Sequence, residues 1–318
     1  MSLVTVQNRE HNRFLIAHAE QTLTHHQIIE EIREIYQMMQ KILIAVAGLG
    51  KCEQMLKVLM EIPTIQRANV TILHVVSPQV TAELMAEKLT AGGKILAEAI
   101  EYLNLDPAKV NVRLKQGEPK DTVCQVAEEE QADLIIMGSR GLSRLNSILA
   151  NSVSQYVFQL TSRPMLLVND EVNIKSINRI LVGYDNSIPA QQSLQLALSM
   201  LRDIKSSQLL IVQVKADSKG ANALIQPEQD PVFASAIIEA KKQGVAYKCI
   251  LATGNPGKEI CNAAEEFHAD LVIIGSPERR PSIARNLPDL DRLLGSSTSD
   301  YIRIKTPCPL LLNRSTNG

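Results

Sequence analysis

The sequence predicts an α/β protein built from two tandem doubly wound domains, each with a five-stranded parallel-type sheet flanked by helices. Three observations carry that prediction: a long block of the chain recurs, short aliphatic runs alternate with longer helical patterns, and the runs are apolar throughout. Self-similarity comes first because it sets the architecture. Residues 116–139 read QGEPKDTVCQVAEEEQADLIIMGS and residues 253–276 read TGNPGKEICNAAEEFHADLVIIGS, an offset of 137 with twelve of twenty-four positions identical. Upstream, KILIAVA (41–47) matches RILVGYD (179–185). Downstream, SVSQYVFQLTSRPMLLV (152–168) matches SSTSDYIRIKTPCPLLL (296–312) in outline. The chain therefore divides into an N-terminal helical extension (1–39), a first domain (40–170) and a second domain (177–314).

In the first copy the pattern predicts strands at 41–47, 69–76, 110–115, 133–138 and 164–168. Runs such as ILIAV, LIIM and MLLV do not alternate, as expected of parallel strands covered on both faces. Helical patterns fill the intervals 79–103 and 120–131. In the latter, Val123, Val126 and Ala127 share one face and acids occupy the other. Strands separated by helices of this length imply right-handed crossovers. Ligands of such sheets sit beyond the carboxyl ends of the strands. In the extension, Thr24 and Gln27 have capping-box spacing, and Ile28, Ile32, Ile35 and Met39 form a 4-3-4 apolar seam. That seam fits packing on its own domain or on a protein partner. His18, His25 and His26 lack metal-ligand spacing.

Composition narrows the function. Net charge is −1 with a pI near 6.6, and aromatic residues make up 3%. Both argue against a nucleic-acid partner. Cys52, Cys124, Cys249, Cys261 and Cys308 are scattered and odd in number, which fits reduced thiols in a cytoplasmic protein rather than a disulfide frame or zinc site. No apolar run reaches the ~20 residues that span a bilayer, and the N-terminus does not read as a signal peptide. Walker-type, G-x-S-x-G, SGGxDS and HIGH motifs are all missing. The chain reads as a binding or signalling module, not a dedicated catalyst.

The sharpest local signal follows the fourth strand. Met137 and Gly138 end it, Gly141 comes three residues later, and Asn151, Ser152 and Val153 follow ten beyond that. Glycines there let backbone approach a ligand, and the next helix start offers unpaired N–H groups to an anion. DLIIMGSRG, then S-V-S-x-Y-V and R-P-M-L-L-V, resembles the universal stress protein domain, whose signature is G-x2-G-x9-G-[S/T]. Gly117-Glu118-Pro119 resembles the G-x-P turn of that family. The resemblance covers residues 40–169 and 177–314.

It implies an adenine-nucleotide-binding fold, with ATP or another adenine nucleotide as ligand and Mg2+ as its companion ion. Adenine would lie between an Asp after the first strand and backbone of the second, at Val75 in one half and Val214 in the other. Phosphates would lie on the glycine loop. The last strand of each half would pair across a pseudo-two-fold within one chain, and chains would assemble further as homo-oligomers.

Position by position, the halves depart from the pattern in different ways. The first has Ala47 in place of the Asp and Asn151 in place of the third glycine. The second keeps Asp185 and Gly275, has Glu278 for the second glycine, and carries eight extra residues before Gly295, Ser296 and Ser297. Asp185 fits a ligand contact and a helix cap equally, and Val75 and Val214 also fit strand core. In the inserted stretch, Arg279, Arg280 and Arg285 fit either a phosphate lid or a solvated loop. Two functions follow: a stress-response protein that binds an adenine nucleotide, or a nucleotide-free scaffold with decayed sites. The first half's loop is the better candidate.

Overall fold

The computed structural model describes residues 39–139, 153–169, 172, 175–215, 226–276 and 298–314. In the first half, β1 (Lys41–Ala45), α1 (Lys51–Met60), β2 (Asn69–Val76), α2 (Ala82–Leu103) and β3 (Val110–Gln116) are followed by α3 (Pro119–Glu129), β4 (Leu134–Ser139), α4 (Val153–Leu160) and β5 (Met165–Asn169). The second half repeats the order with β6 (Arg179–Gly183), α5 (Ile188–Leu201), β7 (Gln208–Lys215), α6 (Ala234–Lys242) and β8 (Ala246–Thr253), then α7 (Pro256–Glu266), β9 (Leu271–Ser276), α8 (Thr298–Lys305) and β10 (Leu310–Arg314).

The predicted strands of the first copy are all present. The first ends at Ala45 rather than residue 47, although the Val46 N–H still donates to Leu73 O at 2.9 Å. The predicted helix from 79 begins instead at Ala82, because the Thr81 hydroxyl caps it by accepting the Leu84 N–H. The helix predicted over 120–131 runs from Pro119, a favoured first-turn residue, to Glu129. Beyond it Gln131 is left-handed (φ 52°), and its repeat partner His268 has the same φ. The halves share a further detail. Asp133 Oδ2 accepts the backbone N–H groups of Gln40 and Lys41 at 2.8 and 2.9 Å, and Asp270 Oδ2 accepts those of Asn178 and Arg179, both at 2.8 Å. Each aspartate ties the turn before the fourth strand to the start of the first.

Among the described residues ten strands lie in one sheet, in the order β3-β2-β1-β4-β5-β10-β9-β6-β7-β8. Pairing within each half is parallel, and β5 meets β10 antiparallel, with Leu310, Leu311 and Leu312 opposite Leu167, Leu166 and Met165. The aliphatic edges that end the two repeats thus cover each other. The intrachain pseudo-dimer implied by the resemblance is what the chain forms.

On one face a continuous apolar core runs through both halves, including Val123, Val126, Val157, Phe158, Ile260, Ala264 and Ile302 with Leu43, Leu167, Leu181 and Leu310 of the sheet. The outer edge strand β3 is flanked by charge, Arg113 pairing with Glu130 and Lys115 with Glu129, which discourages edge-to-edge association. No helix among the described residues is long and apolar enough to cross a membrane.

Candidate functional site

In the first half the sheet order 3-2-1-4-5 reverses direction at β1, so the crossovers leaving β1 and β4 diverge and open a crevice at their carboxyl ends. A cleft of about 440 Å³ occupies that place, within the range of small-molecule sites. Ala45–Ala47 and Leu73–Val75 line it from β1 and β2, and Met137 and Gly138 from β4. The starts of three helices complete it: Lys51–Glu53 of α1, Pro119 of α3, and Val153 with Ser154 of α4. Converging helix N-termini bring a positive potential suited to an anion.

The chain passes from β1 to α1 through Gly48, Leu49 and Gly50. Gly48 has φ +136°, a conformation side chains resist. Gly50 begins α1, and the Glu53 carboxylate reaches back to accept its N–H at 2.9 Å (Oε2). Glu53 is only 1% exposed, and its other oxygen, Oε1, has no hydrogen-bond partner. Burial pushes the Glu53 carboxyl above the usual carboxylate range, opposed by the backbone hydrogen bonds it accepts. His74 lines the same cleft, and its Nδ1 lies 2.8 Å from Val46 O. A carbonyl only accepts, so Nδ1 is the donor of this bond. The imidazole is wedged by α2, where a Cβ added at Gly92 would sit 2.8 Å from His74 Cδ2.

Of the residues the sequence pointed to, Val75, Met137, Gly138 and Val153 are brought together around this cleft. Val75 is half-buried against the core and lines the cleft at the same time. Gly141, Asn151, Ser152, Gly295, Ser296, Ser297, the arginines of the insertion and the N-terminal helix lie outside the described residues.

Asp185, Val214 and Gly275 fall in the second half, whose corresponding ground is built differently. Asp185 Oδ1 accepts the Ser187 N–H at 3.0 Å and the Ser187 hydroxyl at 2.5 Å, a turn at the entry to α5. Val214 packs half-buried against the core. Where β1 is followed by Val46, β6 is followed by Tyr184, which is buried, its hydroxyl 2.8 Å from Ser235 Oγ and 3.1 Å from Asn186 Oδ1. Burial raises the Tyr184 pKa; the Ser235 hydrogen bond opposes the shift and the charge of Asp185 adds to it. The first turn of α5 rests directly on Gly275: an added Cβ would lie 2.3 Å from Pro189 O and 2.8 Å from Ala190 N. Among the described residues, the nearest atom to such a Cβ at Gly138 is Cys52 Sγ, at 3.4 Å. Gly138 therefore lines the cleft, while Gly275 is held under a helix.

With this geometry in view, the comparisons with known proteins are decisive. The model of the universal stress protein family matches the chain twice, over residues 38–169 and 176–314. The chain belongs to the universal stress protein family. It is a tandem member with two family domains. Universal stress protein YxiE of Bacillus subtilis is 29% identical over 147 residues, which cover 41% of this chain and 99% of that protein. The universal stress protein of Methanothermobacter thermautotrophicus is 30% identical over 132 residues, 38% of this chain and 89% of the relative. A crystal structure of a universal stress protein from Archaeoglobus fulgidus superposes with a TM-score of 0.66 at 21% identity, covering 89% of this chain and 98% of the other, which shows the shared fold.

Within this tandem universal stress protein, sequence reasoning did not find Glu53, His74 or the Gly48–Gly50 turn as parts of the site. A signal existed for the turn, since Gly-Leu-Gly-Lys directly follows a buried strand and opens a helix. None existed for His74, which reads as one residue of an apolar strand.

Proposed function

We propose that this protein binds one adenine nucleotide per chain, ATP foremost, in the first-half cleft, as a stress-response module without dedicated catalysis. The observation that carries the reading is a ligand-sized cleft at the sheet's switch point, floored by Val75, Met137 and Gly138 and ringed by three helix starts. The base would lie along Val75 and Ala47. The phosphates would lie over Gly138 toward the start of α4. A companion Mg2+ would be held mainly by the phosphates, since among the described residues no group of three or more His, Cys, Asp or Glu side chains is arranged for a metal.

A specific observation favours the nucleotide-free reading for the second half alone. Pro189 on Gly275 and the Tyr184–Ser235–Asn186 cluster occupy ground that a ligand would need. The test is acid extraction of purified protein with nucleotide chromatography, then ATP calorimetry. The expected result is a stoichiometry near one per chain. No extracted nucleotide and no binding heat at millimolar ATP would leave the scaffold reading in its place.

A further inference from the structure

We propose that Glu53 is a ligand-recognising residue of the first-half cleft, its free oxygen Oε1 accepting a hydrogen bond from an N–H or O–H donor on the bound nucleoside. This rests on the nucleotide reading given above and deepens it. The carboxylate divides its two oxygens between different tasks. Oε2 holds the Gly50 N–H and so fixes the first turn of α1. Oε1 is buried with no hydrogen-bond partner, in a residue that lines the cleft. An enclosed acceptor left unpaired costs about 1–3 kcal/mol, and a helix built only for stability has no use for that cost.

A ligand donor placed against Oε1 recovers this loss, and a ligand lacking that donor does not, so the residue discriminates between them. The surroundings point the same way. Ala47 lines the same cleft and offers only a methyl group. Val46 O is already engaged by His74. Lys51 Nζ is directed to Gln54 Oε1, 3.2 Å away. Glu53 is thus the carboxylate that the cleft wall presents. Candidate donors on an adenine nucleotide are the two ribose hydroxyls and the exocyclic amine, which share the chemistry an enclosed carboxylate oxygen selects.

The experiment is calorimetric titration of wild type and Glu53→Gln with ATP, 2′-deoxy-ATP, 3′-deoxy-ATP and the triphosphate of purine riboside, which lacks the amine. Gln keeps an acceptor for Gly50 N–H and turns the other atom into a donor. The expected result is about tenfold weaker ATP binding by the variant. That difference should fall below about twofold for the one analogue missing the recognised donor, since the coupling belongs to that pair alone. The wild-type protein should lose a similar factor with the same analogue.

Equal affinity of both proteins for ATP would overturn the role of Glu53 while leaving the nucleotide reading intact. So would an equal loss across all four ligands, which marks a purely structural effect. Absence of ATP binding by the wild type would instead remove the nucleotide reading and this inference with it. Should Glu53→Gln fail to fold, Glu53→Asp, which withdraws the carboxylate by one methylene, is titrated in the same four arms.

Discussion

Glu53 makes the protein's stability depend on pH in a direction that can be worked out. Burial raises its pKa in the folded state above that of the unfolded chain. Between those two values the folded state holds more protons, so stability falls as pH rises through the window and does not return above it. Glu53→Gln removes the titration and keeps the bond to Gly50. The variant is expected to melt at or above the wild-type temperature at pH 7.5, with the advantage shrinking as pH falls toward 4.5, measured by thermal scans across that range. A wild type that gains on the variant as pH rises would contradict the burial argument.

The thiols follow the same physics. Burial pushes Cys249 and Cys261 up to about 11 and Cys308 to about 12, leaving roughly one thiolate in a thousand or fewer at pH 8. Ellman's reagent should leave these three unlabelled in the native protein and modify them once guanidinium unfolds it, as peptide mapping would show.

Among the elements, two equivalent glycines do different jobs. Gly275→Ala drives a methyl into the backbone of Pro189 at the start of α5, and overpacking of that kind costs about 1–3 kcal/mol. Among the described residues, Gly138→Ala meets only Cys52 Sγ, at ordinary contact distance, so its stability change should stay within about 0.5 kcal/mol. Urea melts of both variants check the contrast; equal losses would mean that the two crevices are packed alike.

That contrast was not legible in the sequence, where both positions follow an identical ADL-x-I-x-GS frame. What differs is the residue after the first strand and how closely the next helix approaches the glycine, and neither belongs to the repeated block. The strands were legible because burial on both faces leaves them uniformly aliphatic, as in LIIM and LVII. Half of the site was not, because Glu53 looks like an ordinary acid in a helix's first turn. His74 acquires its meaning only when β1 and β2 pair and set it against Val46 O.

At the scale of the whole molecule, the chain holds two family domains, and the default expectation for two domains is independent unfolding. The described residues argue otherwise. One sheet crosses the boundary through β5 and β10, and the core on one face includes Val157 and Leu167 together with Ile302 and Leu310. On the same boundary Arg314, buried, donates to Phe158 O at 2.7 Å and lies 5.8 Å from the Phe158 ring centre. Thr64 Oγ1 donates to Ser199 O at 3.3 Å. Separating the halves would uncover the leucines of both strands and break the Arg314–Phe158 hydrogen bond, so the two halves are expected to melt together. Calorimetry should therefore record a single endotherm with matching calorimetric and van't Hoff enthalpies. ATP bound in the first half should then move the entire transition upward, by the logarithm of its concentration over Kd. Two endotherms, with ATP shifting only one, would show that β5 and β10 join the halves without coupling them. Arg314→Ala is the variant to try on the same instrument. Removing a buried cation that bridges the halves should lower the midpoint and, if coupling runs through this contact, split the single transition in two.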